Sequence, residues 1–425
     1  MDLLADARAA LGTGPICDPC LGRPFADRSH GLTNGERGRA LRTTLAMADD
    51  EPHEPTDPDD CWVCEGYSGR YDEYAERALT AVDAEFATYQ VGSRVPPLVE
   101  ENERLLREEA GLDPEAGEGL GTDLNREVGK RVGEKSGTEV DFERPDVQFL
   151  VDMTADRVEA TVHSAFVYGR YRKLERGIPQ TRWPCGDCDG TGRAGSGPCG
   201  TCGGSGLRYE ESVEQLIAPV IEEVMDGVDA VFHGAGREDV DARMLGTGRP
   251  FVVEVKEPRR RTVDVDRLAD DIDAFAGGTV EVEGLRLATH EAVERVKTLD
   301  ASKTYRADVA FGDDVERPAF EEALEALRGA TVEQYTPHRV DHRRASTTRE
   351  RTVYGIEGRL EGSRGATVEI HGEGGLYVKE LISGDEGRTE PSLAGCLGVE
   401  ARVTALDVLA VEGEDEPFED EAYFR

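Results

Sequence analysis

Four pairs of cysteines are the feature that most constrains how this chain can fold. Eight of the nine cysteines occur as Cys-x-x-Cys units, namely Cys17 and Cys20, Cys61 and Cys64, Cys185 and Cys188, and Cys199 and Cys202. Thiols at this spacing are typical ligands of structural metal sites, and in an intracellular chain they indicate metal before disulfide. Because the N-terminal and central segments that carry them lack much apolar core, we expect metal binding to be coupled to their folding.

The two central units have the spacing of a four-cysteine zinc site. Ten residues separate Cys188 from Cys199, and glycines follow each pair, which allows tight knuckles whose backbone N–H groups donate to sulfur. Four thiolates leave no open coordination position, so the predicted Zn²⁺ is structural. The repeats CDGTG and CGGSG also resemble those of J-domain chaperones, but the chain has only two such repeats and no His-Pro-Asp.

The two N-terminal units are expected to close a second zinc site over the 40 residues between Cys20 and Cys61. Cross-pairing between the N-terminal and central units is the alternative that spacing leaves open. The sequence therefore predicts one or two structural Zn²⁺ ions. The remaining cysteine, Cys396, is expected to be a free, buried, small apolar side chain.

The net charge of −38 indicates the salt concentration in which the protein works more than it indicates what the protein binds. Only 7 of the 50 basic residues are lysine and the other 43 are arginine, and an acidic, lysine-poor surface is typical of proteins that work in molar salt. At that ionic strength the Debye length is about 3 Å, so an acidic surface does not repel RNA at range. Arginine clusters can still bind phosphates through bidentate hydrogen bonds.

Length and hydropathy predict a cytoplasmic protein of two or three domains. The chain has 425 residues, no run of 18 apolar residues that would span a membrane, and an N-terminus without the pattern of a signal peptide. Helices are predicted at 71–89, 124–132, 212–224, 264–275 and 317–328, and strands at 147–151, 157–168 and 403–409. We expect 393–399 to pack in the core. This mixture indicates an α+β fold.

Two basic clusters are predicted to contact RNA. The block 169–180 and its neighbours interleave basic residues with Tyr168 and Tyr171, a pattern that suits phosphate binding and base stacking. Its basic residues are Arg170, Arg172, Lys173, Arg176 and Arg182. The second cluster, at 338–344, contains Arg339, Arg343 and Arg344; a salt-bridged surface turn is its alternative.

A glycine-punctuated loop carries the best candidates for catalysis. It reads Gly236-Arg237-Glu238-Asp239-Val240-Asp241, and an arginine beside a carboxylate keeps that carboxylate ionised near neutrality. Asp239 and Asp241 are two residues apart and would point the same way in an extended loop. Spacing alone does not choose between them.

This loop resembles the Gly-Arg-x-Asp catalytic loop of pseudouridine synthases, in particular the archaeal and eukaryotic family that modifies the TΨC arm of tRNA. Two further motifs follow in that family's order, Lys303-Thr304-Tyr305 and the segment 375–381. The resemblance implies that Asp239 is the catalytic carboxylate, with Arg237 as its neighbouring cation. It also implies that Tyr305 stacks on the flipped uracil, that Tyr377 and Leu381 line the uracil pocket, and that Lys379, on a strand, salt-bridges the aspartate.

The resemblance covers nearly the whole chain and implies its organisation. We expect an N-terminal zinc segment at 1–70, a THUMP-like RNA-binding domain at 71–183, a zinc knuckle pair at 184–211 and a catalytic domain on a mixed or antiparallel sheet at 212–425. The implied activity is isomerisation of uridines 54 and 55 of tRNA, with no cofactor for catalysis, no protein partner and no membrane. A non-catalytic zinc-ribbon tRNA-binding protein is the alternative, and a chaperone is a distant third.

Overall fold

The computed structural model describes residues 2–298, 300–337, 347–414 and 416–425. The chain forms two compact units, one of Met1–Ser164 with Glu257–Arg261 and one of Ala165–Lys256 with Thr262–Arg425. The second unit thus begins at Ala165, whereas we predicted a domain boundary after residue 183. The cause is a strand at 165–173 whose ladder partners all belong to the second unit. No helix among these described residues is long and apolar enough to cross a membrane.

The first unit combines helices with a small sheet. Its elements are α1 (Leu3–Gly12), α2 (Asp18–Gly22), α3 (Asn34–Asp49), α4 (Tyr71–Ala81), β1 (Thr88–Arg94), α5 (Pro97–Glu109), α6 (Leu120–Ser136), β2 (Glu139–Val140), β3 (Val147–Asp152) and β4 (Arg157–Val162). The strand order is β2-β1-β3-β4, with β1 parallel to β2 and β3 and with β3 antiparallel to β4.

Helix α6 explains how this sheet is covered. Its apolar residues Leu120, Leu124, Val128 and Val132 recur every four positions and are all fully buried, so they form one stripe. Gly137 ends the helix in the left-handed conformation. The expected helix at 71–89 ends earlier, at Ala81, because Thr88 already begins β1. The expected strand 157–168 is likewise two strands, β4 and β5.

The second unit is built on a ten-stranded sheet. Its elements are β5 (Ala165–Lys173), β6 (Arg193–Ala194), β7 (Gly197–Pro198), α7 (Val213–Met225), β8 (Asp229–Gly234), β9 (Arg243–Lys256), α8 (Val265–Ala276), β10 (Val280–Ala288), α9 (Glu291–Thr298), β11 (Ala301–Phe311), α10 (Arg317–Leu327), β12 (Thr331–Tyr335), β13 (Thr348–Leu360), β14 (Gly365–Gly372), α11 (Val378–Ser383), β15 (Thr389–Glu390), α12 (Leu393–Leu397) and β16 (Ala401–Gly413).

The large sheet is mixed, as predicted. Its order is β10-β5-β9-β16-β11-β14-β13-β12-β15, with β8 paired to β9, and among these ladders only β9 and β16 run parallel. Helices α7, α8 and α9 pack with β5, β9 and β10 in one apolar core, and α10 and α11 pack with β11, β13 and β14 in another. The parallel β9–β16 pair lies where the two cores meet, near the middle of the sheet.

One smaller expectation holds and another differs from the structure. The segment 393–399 packs against the second core, because Leu393 of the short helix α12 is fully buried and Ala394, Leu397 and Val399 are partly buried. Cys396 lies on that helix and is exposed rather than buried. The helix predicted at 212–224 is confirmed as α7, and the Ser212 hydroxyl accepts from the N–H of Gln215 as its N-cap.

Candidate active site

The loop 235–242 joins β8 to β9 and carries both candidate aspartates. It begins where the N–H of Ala235 donates to Pro250 and ends in a turn closed by the N–H of Ala242 donating to the Asp239 carbonyl, at 3.0 Å each. Asp239 and Asp241 therefore lie on a short loop that is held at both ends and connects two paired strands. The loop sits beside the parallel β9–β16 junction.

A single lysine bridges the two aspartates. The Lys379 Nζ lies 3.2 Å from a carboxylate oxygen of Asp239 and 3.1 Å from one of Asp241. The side chain of Asp239 is 44% exposed and that of Asp241 is 73% exposed. Lys379 thus contacts its predicted partner Asp239 and also the rival candidate Asp241, and the distances of this ion pair do not by themselves select one carboxylate. Asp239 is the more enclosed of the two and lines the adjacent cleft.

That cleft has a volume of about 590 Å³. It is bordered by the aspartate loop, by β11, by β16 and by the segment that leads into α11. The sequence-predicted residues that line it are Arg237, Asp239, Tyr305, Tyr377 and Lys379. Residues from three distant parts of the chain, predicted only from their motifs, therefore share one cleft. Its volume is in the range of pockets that bind small molecules.

Tyr305 reaches the cleft from the centre of the sheet. It lies on β11, opposite Ile370 of β14 and Val408 of β16, and the register of the β11–β16 ladder shifts next to it, between Thr304 and Tyr305. Such a bulge re-aims side chains and is common beside active sites. The irregularity leaves Leu409 facing Gly246, where an added Cβ would stand 2.1 Å from the Leu409 carbonyl oxygen. Gly246, with φ of +56°, is the residue that permits this close approach.

Lys303 lies two residues before Tyr305 and also lines the cleft. Burial lowers its pKa to about 8, and the nearby Arg249 guanidinium adds to that effect. Its ammonium donates to the Ala301 carbonyl at 3.2 Å. The sequence predicts a role in the site for Tyr305 of this motif and not for Lys303.

A buried charge network holds the aspartate loop from below. The side chain of Glu238 is fully buried and accepts from Arg249 Nε at 2.9 Å and from the Tyr171 hydroxyl at 2.8 Å, while Lys173 Nζ lies 3.6 Å from its other oxygen. Burial raises the pKa of Tyr171 well above its usual range, with the Glu238 charge adding to the effect. Glu238 thus turns inward from the loop while its neighbours Arg237 and Asp239 face outward.

The basic block 169–180 serves this network, which corrects part of the RNA-binding prediction. Lys173 is fully buried and donates to the carbonyls of Ile178, Asp239 and Val240 at 2.8, 3.3 and 3.4 Å. Strand alternation explains its position, because Lys173 shares a face of β5 with the buried Tyr171. Tyr168 and Tyr171 are both enclosed, so neither ring can stack on a base.

Arg170 and Arg176 also make contacts within the protein. The side chain of Arg170 is 11% exposed and donates to the carbonyls of Thr247, Gly248 and Val411. Arg176 donates to the Asp241 carbonyl at 2.7 Å and pairs with Asp407 at 2.6 Å, so it too holds the loop. RNA contact by Arg172 and by the partly exposed Arg176 stays a proposal, and Arg339, Arg343 and Arg344 lie outside the described residues.

The segment after Gly375 differs from the predicted strand. Residues Val378–Ser383 form the short helix α11, because Gln334 takes both backbone groups of Tyr377, accepting from its N–H at 2.8 Å and donating to its carbonyl at 3.0 Å. On this helix Leu381 turns into the core and is fully buried, so the prediction that it lines the pocket was wrong. Leu376 and Val378 supply the apolar wall instead.

The eight paired cysteines form two separate groups, which rules out cross-pairing between them. In each group, the four sulfur atoms lie within 4.8 Å of one another. One group joins Cys17 and Cys20 to Cys61 and Cys64, and the other joins Cys185 and Cys188 to Cys199 and Cys202. Either group could hold a metal ion.

Backbone and side-chain donors surround these sulfur atoms as expected of metal-bound thiolates. The N–H of Gly192 donates to Cys188 and that of Gly206 to Cys202, both at 3.3 Å. In the first group, the buried Arg23 donates to Cys20 at 2.9 Å and pairs with Glu103. These donors compensate negative charge on sulfur, so the residues fit a metal site.

Glu238, Arg249 and Gln180 are the participating residues that motif reasoning missed. Gln180 donates to the Tyr171 hydroxyl and to the Gly236 carbonyl, at 2.9 and 2.8 Å. One available signal was alternation on β5, which places Lys173 on the apolar face with Tyr171. The buried cations Lys173 and Arg249 require a buried carboxylate as their counter-charge. Glu238 is the carboxylate that can supply it, because its neighbours in the motif face outward.

Two family models match the chain. The model described as Pus10, C-terminal matches residues 166–412, which belong to the second unit apart from 257–261. The model described as Pus10 THUMP domain, archaeal matches residues 74–152, within the first unit. Together they match nearly all of the large sheet with its cleft, and strands β1, β2 and β3 of the small sheet.

Named relatives match over nearly the full length. The tRNA pseudouridine synthase Pus10 of Halorubrum lacusprofundi is 68% identical over 426 residues, which is 100% of each chain. The protein of the same name from Methanothrix thermoacetophila is 44% identical over 438 residues, covering 97% of this chain and 95% of its own. Among solved structures, the crystal structure of a Cbf5-Nop10-Gar1 complex covers 48% of this chain and 46% of its own matched chain, at 19% identity and a TM-score of 0.30.

Proposed function

Because the chain belongs to the Pus10 family of tRNA pseudouridine synthases, we propose that it converts uridines 54 and 55 in the TΨC arm of tRNA to pseudouridine, in the cytoplasm. Membership of the family makes the chain an RNA-uridine isomerase and does not favour the non-catalytic alternative. The observation that carries the proposed chemistry is the shared ion pair of Lys379 with Asp239 and Asp241 beside a cleft that also holds Tyr305.

We assign the nucleophilic role to Asp239. Its carboxylate lines the cleft, whereas that of Asp241 is more exposed. A target base must leave its helix to reach this cleft, where Tyr305 offers a ring for stacking. The N1–C1′ bond of the uridine then breaks, the base rotates, C5 bonds to C1′, and the C5 proton is lost while N1 gains one. The Asp239 carboxylate acts at C1′, and Tyr305 is the candidate to accept the C5 proton.

Lys379 orients the nucleophile. Its ammonium, at 3.2 Å, restricts the rotation of the Asp239 carboxylate. Its second contact with Asp241 makes that residue a competitor for the same cation. Loss of Asp241 is therefore expected to leave Lys379 with Asp239 alone and to preserve the reaction.

The two cysteine groups each hold one structural Zn²⁺ in this proposal. Thiolates are soft ligands that suit zinc, and four of them close the coordination shell, so the metal has no open position for substrate. The donors to Cys20, Cys188 and Cys202 are of the kind that outer hydrogen bonds supply to metal-binding sulfur atoms. Neither zinc takes part in the chemistry at Asp239.

The test is tritium release from tRNA transcripts that carry 5-³H-uridine, in molar KCl, for the wild type and for two matched variants, Asp239→Asn and Asp241→Asn. Both substitutions remove one carboxylate charge from the same loop and the same lysine. We expect release by the wild type and by Asp241→Asn but not by Asp239→Asn. The opposite pattern would transfer the role to Asp241, and no release by the wild type would refute the activity on this substrate.

Position is tested with transcripts in which cytidine replaces uridine at 54, at 55 or at both. Release should fall by about half with either single replacement and vanish with the double one. Full release from the double replacement would show that the target lies elsewhere in the tRNA.

A further inference from the structure

We propose that the central cysteine group positions a nucleotide-stacking surface, formed by Trp183, Arg208 and Tyr209, for the RNA strand that flanks the target uridine. This inference rests on the proposed function, because the partner is the tRNA that enters the cleft. It assigns a role to the knuckle 185–202, which supplies no residue to the cleft itself.

The knuckle brings the three residues together from its two ends. Pro184 and Leu207 form an isolated antiparallel bridge, and the N–H of Arg208 donates to the Trp183 carbonyl at 2.9 Å. Above this stem, the N–H of Cys185 donates to Gly206 at 2.8 Å. A metal that holds the four sulfur atoms would therefore also hold the stem, and with it the side chains that flank it.

The side chains on the stem form an aromatic and cationic cluster. The rings of Trp183 and Tyr209 meet edge to face, with centroids 5.5 Å apart and planes at 74°. The Arg208 guanidinium lies 5.8 Å from the centroid of each ring. Proteins that bind single-stranded nucleic acids combine aromatic side chains, which stack on the bases, with arginines, which contact the phosphates.

The cluster adjoins the catalytic loop. Trp183 lines a small depression of about 60 Å³ together with Arg237, Asp239 and Val240, and this depression shares Gln180, Arg237, Glu238 and Asp239 with the main cleft. A nucleotide next to a uridine bound at Asp239 would thus lie within reach of the Trp183 ring. The depression is small enough to fit only the edge of a base or a ribose. The face of the base that stacks on the Trp183 ring would lie outside the depression.

Charge supports RNA as the occupant. Arg208 and Arg237 are exposed, and neither has a carboxylate oxygen within 4.0 Å among the residues that the structure describes, whereas the neighbouring Arg182 is paired with Glu214 at 3.6 Å. In a chain with 88 acidic residues, these two arginines, one on the stem and one on the aspartate loop, are available to phosphate. The exposed Glu210 and Glu211 follow the cluster, and molar salt screens their repulsion within about 3 Å.

A fluorescence titration tests the stacking directly. The chain has two tryptophans, Trp62 and Trp183, so the Trp62→Phe variant reports on Trp183 alone. The probe is an RNA stem-loop with the TΨC-arm sequence, added in molar KCl. We expect the Trp183 emission to be quenched as the RNA saturates. Unchanged emission at an RNA concentration that saturates binding by anisotropy would overturn the proposal.

Substitutions separate this surface from the chemistry. Trp183→Leu and Arg208→Gln should each weaken RNA binding, by about 5- to 100-fold for the stacking residue, while the single-turnover rate at saturating enzyme stays within about 3-fold of wild type. Trp183→Phe should recover most of the affinity because it restores a stacking ring. Arg193→Gln, on the knuckle but away from the stem, is the matched control and should bind as the wild type does.

The outcomes distinguish the two proposals. Wild-type tritium release together with unchanged affinity of Trp183→Leu would refute the stacking surface and leave the proposed function intact. Absence of wild-type release would refute the proposed function, and the quenching titration would still decide the surface. Unchanged zinc content and circular dichroism of the variants are required, and Trp183→Phe supplies the comparison if Trp183→Leu does not fold.

Discussion

Glu238 is the residue whose replacement should most clearly expose how the aspartate loop is held. Its fully buried carboxylate faces two buried cations, Arg249 at 2.9 Å and Lys173 at 3.6 Å. Glu238→Gln keeps the shape of the side chain but removes the negative charge. Both cations then lie in a site shielded from water without a counter-charge.

The magnitude follows from this imbalance. Removing one partner of a buried ion pair costs about 3–5 kcal/mol of unfolding free energy. Burial already lowers the pKa of Lys173, and Glu238 is the main group that opposes this effect. Without Glu238 the Lys173 pKa falls further, so this lysine can lose its proton and relieve part of the strain. We therefore expect a loss of about 3 kcal/mol near neutral pH.

The sign of the pH dependence is also determined. In the variant the pKa of Lys173 is lower in the folded state than in the unfolded state, so the unfolded state binds more protons between those two values. Stability then rises with pH across that window. The deficit of Glu238→Gln relative to wild type should accordingly shrink as the pH is raised from 7 toward 10.

The assay is urea unfolding in molar KCl, followed by the fluorescence of Trp183 in a Trp62→Phe background so that the second unit is observed. Asp241→Asn is the control, because its exposed carboxylate should contribute less than about 1 kcal/mol. Lys173→Met added to Glu238→Gln should restore part of the stability by removing one uncompensated cation. A loss below about 1 kcal/mol for Glu238→Gln, or no recovery in the double variant, would refute this account of the network.

Three further perturbations have defined outcomes. Lys379→Met should lower the single-turnover rate of tritium release by about 10²- to 10³-fold, because it removes the cation that holds the nucleophile. Lys379→Arg should retain part of the wild-type rate. Equal rates for Lys379→Met and the wild type would contradict the assignment. Burial lowers the pKa of Lys303 to about 8, so the unfolded state binds more protons than the folded state between pH 8 and 10.5. The free energy of unfolding should rise by about 1–3 kcal/mol over that range. The urea midpoints of Lys303→Met should lack that rise. Elemental analysis should give two zinc ions per chain and one for Cys202→Ser, whereas one ion in the wild type would show that a cysteine group does not hold zinc.

Much of the candidate site could be predicted because its chemistry is local in sequence. The Cys-x-x-Cys spacing already contains the ligand geometry of each pair, and the loop around Asp239 keeps its motif in consecutive residues. The same holds for helix α7, whose Ser212 cap and apolar periodicity are short-range signals. The motif around Tyr305 and the lysine at 379 are also short-range signals, and the sequence predicts their roles without their convergence on one cleft.

The errors have a common physical origin. We expect Lys173 and Arg170 to face solvent because long basic side chains are rarely buried, but β5 pairs inside the sheet. Lys173 therefore lies under the aspartate loop, and Arg170 donates to carbonyls of β9 and β16. Leu381 was assigned to the pocket on the assumption of a strand. The hydrogen bonds of Gln334 to Tyr377 come from a different part of the chain and make that segment a helix.

By itself the sequence determined the chemical groups of this protein: two sets of four thiols, a loop that carries aspartates, the lysine and tyrosine motifs, and the α+β class. These properties depend on residue type and short-range spacing. The tertiary structure alone decided which cations serve the protein interior, how Glu238 is enclosed, and which apolar residues line the cleft. Burial and strand pairing join residues far apart in the chain, and the free energy of a charge depends on that enclosure more than on its neighbours in sequence.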